Sequence, residues 1–187
     1  MHHYLDFTLI KDPEFPPDML RAALLQKLHR ALFDVQADDL AISFPGIDLA
    51  KAKFGSVLRL HGAEQRLQSL RSGDWLRGMR DHLTIGDVLP IPAQHQHRRV
   101  LRLRPRSNME RLKRRQLKRH PEQTASIEAR FAGAKDERVN APSILLRSKS
   151  TGESFPLLLI LGPLQAQASP GKFNSYGLSN TASVPWF

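Results

Sequence analysis

The chain has 187 residues, enough to bury a core in one or two small domains without staples, and a formal charge of +10. Apolar residues make up 41% and charged ones 25%, ordinary globular usage that excludes collagen-like, coiled-coil and wholly disordered classes. With no cysteine, disulfide frameworks, thiolate metal sites, iron–sulfur clusters and cysteine nucleophiles are excluded together, and no apolar run approaches the ~18 residues a membrane span needs.

At the start, MHHYLDFTLIKD lacks the basic segment and apolar stretch of a signal peptide, so a cytoplasmic location and no membrane contact are expected. Residues 3–9 alternate in polarity and predict a half-buried strand. Pro16-Pro17-Asp18 opens a helix whose Leu20, Leu24, Leu28 and Ala31/Leu32 form a stripe of period 3.6. Leu40–Phe44 and Ser56–Leu60 read as two strands joined by a loop rich in Pro, Gly and Asp. Residues 63–82 read as helical with an interruption near Ser72-Gly73-Asp74, and 84–91 return as a strand. The resulting βαββαβ order predicts an α+β chain with an N-terminal ferredoxin-like domain over residues 1–92. Many functions use that fold, so it identifies none.

Residues 92–97 read as a linker to a second α+β domain, 98–187, with a strand at 98–104 and helices at about 108–120 and 122–132. Strands follow at 143–149, 155–160 and 173–179. Ser107 with Glu110 forms a capping-box pattern for the first of these helices.

The charge is concentrated. Between Arg98 and Arg119 lie eleven basic residues and one acid, and the rest of the chain is balanced. A solvated helix face normally mixes signs, and this one does not; such a patch attracts a polyanion. Arg111, Arg114, Arg115, Lys118 and Arg119 fall at i, i+3, i+4, i+7 and i+8, one stripe ~18 Å long. Met109, Leu112 and Gln116 point elsewhere and can dock the helix. A stripe of donors alone positions phosphates and discriminates bases poorly, which disfavours a DNA-reading helix. The opposite face lacks the Trp, Phe and Leu a membrane helix would insert. Arg102 and Arg104 are set apart on one side of the preceding strand, where guanidinium forks can meet guanine edges or simply contact phosphate.

Spacing assembles no catalytic constellation. The His2-His3 and His95-Gln96-His97 pairs have no acidic cluster beside them, so no metal and no cofactor are expected. His29 sits at the edge of the first helix's apolar stripe, where a lone histidine is commonly a boundary residue. Ser148 and Ser150 share a face of a strand without a nucleophile elbow, and Tyr176 reads as a half-buried strand residue.

In order along the chain stand His3-Tyr4-Leu5-Asp6, Asp12-Pro13-Glu14-Phe15-Pro16-Pro17, Lys27-Leu28-His29, Ser43-Phe44-Pro45, Arg80-Asp81-His82-Leu83 and Ser107-Asn108. They continue with Leu146-Arg147-Ser148, Ser150-Thr151-Gly152, Gly162-Pro163-Leu164-Gln165, Tyr176-Gly177-Leu178-Ser179 and the terminal Val184-Pro185-Trp186-Phe187. In that order and spacing the chain resembles the type I-F CRISPR repeat-processing endoribonucleases over nearly its whole length. The resemblance implies a metal-independent enzyme that binds the repeat hairpin, cuts at the base of its stem and stays on the product. It places the catalytic histidine on His29, the active-site serine on Ser148 with Ser150 nearby, and the tyrosine on Tyr176. It places the residue stacking on the closing base pair on Phe155, the groove-entering helix on residues 108–120 with Asn108 at its start, and a guanine-reading arginine on Arg102. Where the family pattern has glutamine, this chain has Arg104, which leaves the base preference there open. The family's glycine-rich C-terminal loop is represented only by Gly171 and Gly177.

The chemistry suits this inventory. RNA carries its own nucleophile, the 2′-hydroxyl, and histidine side chains can accept a proton near neutral pH. The implied products are a 2′,3′-cyclic phosphate or 3′-phosphate and a 5′-hydroxyl. The implied partners are the repeat RNA and the other subunits of a type I-F surveillance complex, the free protein being monomeric. The alternative from another class is a non-catalytic hairpin-binding subunit, which would share the basic helix and need no His29.

Overall fold

A computed structural model describes residues 1–104, 109–133, 140–148 and 151–187, without the side chain of Glu110. It is a mixed α+β structure. The chain divides into two compact units, Met1–Leu103 with Ala141–Phe187, and Arg104–Asn140. That division runs along a different line from the one expected at residues 92–98.

In the first unit, β1 (His3–Leu9) lies between β3 (Val57–Gly62) and β4 (Leu83–Ile85), with β2 (Ala41–Ser43) outside β3 and every neighbour antiparallel. β5 (Leu89–Pro90) adds a short pairing to β1. The period of two explains the layering: Leu5 faces Leu60 and Phe7 faces Leu58 across the ladder, all buried. On the other face Asp6 and Arg59 are directly opposed and form a bidentate ion pair at 2.7 and 2.8 Å. The Arg59 guanidinium also lies against the rings of Tyr4 and Phe187, tying the C-terminus to that face.

Helix α1 (Pro17–Asp34) starts where Pro17 presets the backbone and Asp18 sits in the first turn. Its buried Leu20, Leu24, Leu25, Leu28 and Leu32 pack the helix against β1 on one element and β8 (Ser143–Arg147) on another. Helix α2 (Glu64–Ser72) is followed by two short 3₁₀ turns, Asp74–Leu76 and Arg80–His82, so the helical reading of 63–82 is correct only in its first half. Gly73 ends the helix, its N–H bonding to Leu70 O.

The remaining strands correct three sequence-based expectations. The supposed linker contains β6 (Gln96–Arg98), which pairs with β10 (Val184–Trp186), a partner 86 residues or more away along the chain and invisible to any local pattern. β7 (Val100–Leu103) stops before Arg104, which therefore does not share a strand face with Arg102; β9 (Ser154–Leu161) lies between β7 and β8. Residues 173–179 form a turn rather than a strand, because the Asn174 side chain accepts from the Tyr176 and Leu178 N–H groups and consumes donors a ladder would need.

The second unit holds α3 (Met109–Arg119), a 3₁₀ turn at Pro121–Gln123 and α4 (Thr124–Phe131). The Ser107 cap lies outside the described residues. No helix among the described residues is long and apolar enough to cross a membrane.

Candidate functional site

The C-terminal half of α1, the end of β8 and the start of β9 wall a cleft of about 600 Å³. His29, Ser148, Phe155 and Tyr176, distant in sequence, all line it, together with Gln26, Arg30, Phe33, Asp34 and Arg147. The packing of α1 on β8 brings them together: Leu28 and Leu32 are buried beneath His29, and Leu146 is buried two residues before Ser148.

The His29 Nδ1–H donates to the Ser175 carbonyl oxygen at 2.8 Å. A carbonyl only accepts, so this bond selects the tautomer that leaves the Nε2 lone pair as a base. The Tyr176 ring lies flat on the imidazole, with centroids 3.8 Å apart and planes 5° from parallel. Burial pushes the Tyr176 phenol up, while the positive charge of Arg102 pulls the other way. The phenol therefore stays protonated at neutral pH.

The turn that supplies both contacts is built locally. Gly177 N–H bonds to Asn174 O at 2.7 Å, and Gly177 O accepts from Ile42 N–H at 2.9 Å, pinning the turn to β2. Gly177 has φ of 69°, and a Cβ there would meet Ile42 Cγ2 at 2.9 Å and Ile42 N at 3.0 Å. We expect Gly177→Ala to cost about 1–2 kcal/mol for the left-handed backbone and about 1–3 kcal/mol more for the clash. Gly78 is the control: its φ is 74° and nothing lies within 4 Å of a built Cβ, so Gly78→Ala should cost only the backbone part. Urea denaturation of both variants checks the difference.

Ser148 lies just past β8, at the head of a turn closed by Gly152 N–H to Ser148 O at 2.9 Å and Ser148 N–H to Glu153 O at 2.8 Å. Its Oγ accepts from Thr151 N–H at 3.2 Å. It is thus in a turn rather than on the strand expected, and Ser150 lies outside the described residues. The Arg102 guanidinium stands over the Phe155 ring, 5.2 Å from its centroid.

Other histidines have different surroundings. His61 is wholly buried, bonded to Ser43 Oγ at 2.8 Å, and burial lowers its pKa to about 3, so it stays neutral and out of solvent's reach. His82 Nδ1 pairs with Asp12 at 2.8 Å, and His95 and His97 meet edge to face. Among the described residues, no three His, Asp or Glu side chains are grouped so as to hold a metal ion.

In the second unit, Arg111, Arg114, Arg115, Lys118 and Arg119 are all exposed on α3. Met109, Leu112, Lys113, Gln116 and Leu117 are half-buried at the complementary spacing, and α3 packs on α4 through this side, with Arg130 bonded to Gln116. Arg104 is exposed and Asn108 lies outside the described residues. Sequence reasoning missed Ser175 and Asn174. Ser175 acts through a backbone carbonyl, which no side-chain pattern reveals, whereas the Asn-x-x-Gly turn signal was present in Asn174–Gly177.

A family model described as CRISPR-associated protein (Cas_Csy4) matches residues 4–187. A protein named CRISPR-associated endonuclease Cas6/Csy4 from Pseudomonas aeruginosa (strain UCBPP-PA14) is 41% identical over 187 residues, covering 100% of each chain. Its namesake from Escherichia coli (strain UTI89 / UPEC) is 37% identical over the same full span. One solved structure, described as an RAMP protein binding different RNA substrates, covers 98% of this chain at 9% identity and a TM-score of 0.34, too loose a likeness to carry an argument.

Proposed function

The chain belongs to the CRISPR-associated Cas_Csy4 family, and on that basis we propose that it is a repeat-processing endoribonuclease. It binds the hairpin of a CRISPR repeat RNA, cuts at the base of the stem without metal, and stays on the mature guide RNA within a type I-F surveillance complex. The five-stranded sheet with α1 and α2 is read as its ferredoxin-like part. The observation that carries the reading is the His29 arrangement: a carbonyl on Nδ1, a ring on its face and Nε2 left as a base, in a cleft shared with Ser148 and Phe155.

His29 Nε2 takes the proton of the 2′-hydroxyl at the scissile nucleotide. The 2′-oxygen attacks the adjacent phosphorus, a 2′,3′-cyclic phosphate forms, and the 5′-oxygen departs and is protonated as the 5′-hydroxyl product. Ser148 hydrogen-bonds the reacting ribose, with Ser150 assisting, and Tyr176 holds the imidazole plane so that attack is in line. Phe155 stacks on the closing base pair of the stem. The α3 stripe runs along the phosphates of the hairpin, with Asn108 at its start, and Arg102 and Arg104 meet the foot of the stem.

Incubation with the repeat hairpin as RNA and as DNA tests this. The RNA is cut at the stem base and the DNA is not; binding of the RNA with no cleavage would instead mark a non-catalytic hairpin-binding subunit. Arg102→Ala should cost ~1–3 kcal/mol on the preferred stem and relax the preference at its lowest pairs. Affinities for stems permuted at those pairs check it, and the same panel with Arg104→Ala tells base reading from a uniform phosphate contact.

A further inference from the structure

We propose that Phe33 is a stacking platform for the first unpaired nucleobase beyond the scissile phosphate, on the side away from the stem. The inference rests on the endoribonuclease reading above. Phe33 follows His29 by four residues on α1, so it lies on the same helix face one turn further on. The residue is 66% exposed, large for a phenylalanine inside an ordered helix. Single exposed apolar side chains are common and mean little by themselves. The position of this one is what distinguishes it.

Phe33 lines the cleft that holds His29, Tyr176 and Phe155, and it also lines an adjoining cavity of about 750 Å³. The second cavity is walled by Val35 and by Ser175, the residue whose carbonyl holds His29. The two spaces share Phe33 and Asp34, so this ring borders both the cleft that holds His29 and the space beside it. Asp34 borders both spaces, whereas Arg30 and Arg147 border only the cleft that holds His29, so the space beyond Phe33 has a carboxylate and no cation in its wall and suits a base better than a phosphate. An exposed aromatic face accepts any base, because every base has a π-face. Phe155 serves the paired side of the cut, and Phe33 gives the unpaired side its own hold. Fixing both neighbours of the phosphate restricts it to geometries suited to in-line attack.

The test uses precursor RNA blocked by a 2′-deoxy scissile nucleotide, the same RNA abasic at the next position, and the product hairpin that ends at the cut. Phe33→Ala should weaken binding of the blocked precursor roughly 5- to 150-fold, the range expected for one base–aromatic stack. Its affinities for the abasic RNA and the product hairpin should equal those of wild type. Phe33→Trp should restore precursor affinity, and 2-aminopurine placed after the cut should be quenched on binding by wild type and by the Trp variant only. Equal affinities of wild type and Phe33→Ala for the precursor, or an equal loss on the product hairpin, would overturn the inference while wild type still cuts. Failure of wild type to cut unmodified precursor would overturn the endoribonuclease reading, and this inference with it.

Discussion

Replacing His29 by Ala should lower the single-turnover cleavage rate by ~10²–10⁴-fold while hairpin affinity stays within about threefold of wild type. The size follows from what a positioned general base contributes to proton removal in the transition state. The selectivity follows from placement: His29 is half-buried in the cleft, whereas the cations that would hold the RNA are the exposed stripe on α3 together with Arg102 and Arg104. Stability should change little, because the buried stripe beneath it is formed by Leu25, Leu28 and Leu32, which are untouched. Rapid-quench cleavage and filter binding on the same preparation check both halves. A wild-type rate in His29→Ala would remove His29 from the chemistry. A parallel loss of affinity would make it a binding residue.

Changing Arg114, Arg115 and Arg119 together to Gln should reduce affinity on the order of a hundredfold at ~0.1 M salt and flatten the slope of log K against log salt by roughly two to three units. Glutamine keeps the helix propensity, and all three side chains are exposed, so α3 should persist and its packing on α4 with it. The loss should be the same for every stem sequence, because a donor-only stripe meets phosphates. Titrations at several salt concentrations on two stems of equal length decide it. A loss confined to one stem would mean that the helix reads bases.

The elements that a local pattern encodes were legible. Pro17 and Asp18 with the leucine stripe mark α1, and the bounds of α3 fall within a residue of the 108–120 expected for the basic helix. What failed depended on distant partners or on side chain-to-backbone bonds. β6 needs β10 from the far end of the chain, and the alternating look of residues 173–179 was overridden by Asn174 capping its own turn and by Gly177 at positive φ. The site was divided the same way. His29, Ser148, Tyr176 and Phe155 were singled out through the family resemblance, and the helix and strand packing brings all four to one cleft. The carbonyl that sets the tautomer belongs to the backbone of Ser175, and a serine there announces nothing. Phe33 belongs to no sequence motif, and only the two cavities that share it set it apart from other residues near a helix end.

The most direct measurement is cleavage of the repeat hairpin RNA in EDTA, with and without a 2′-deoxy substitution at the scissile nucleotide. His29 as base and the ribose as nucleophile require that the unmodified RNA be cut at full rate without metal, leaving a 2′,3′-cyclic phosphate or 3′-phosphate and a 5′-hydroxyl. They require equally that the 2′-deoxy RNA be bound and left whole. Cleavage that stops in EDTA, returns with Mg²⁺ and proceeds through the 2′-deoxy position would contradict the account and put metal-assisted hydrolysis in its place.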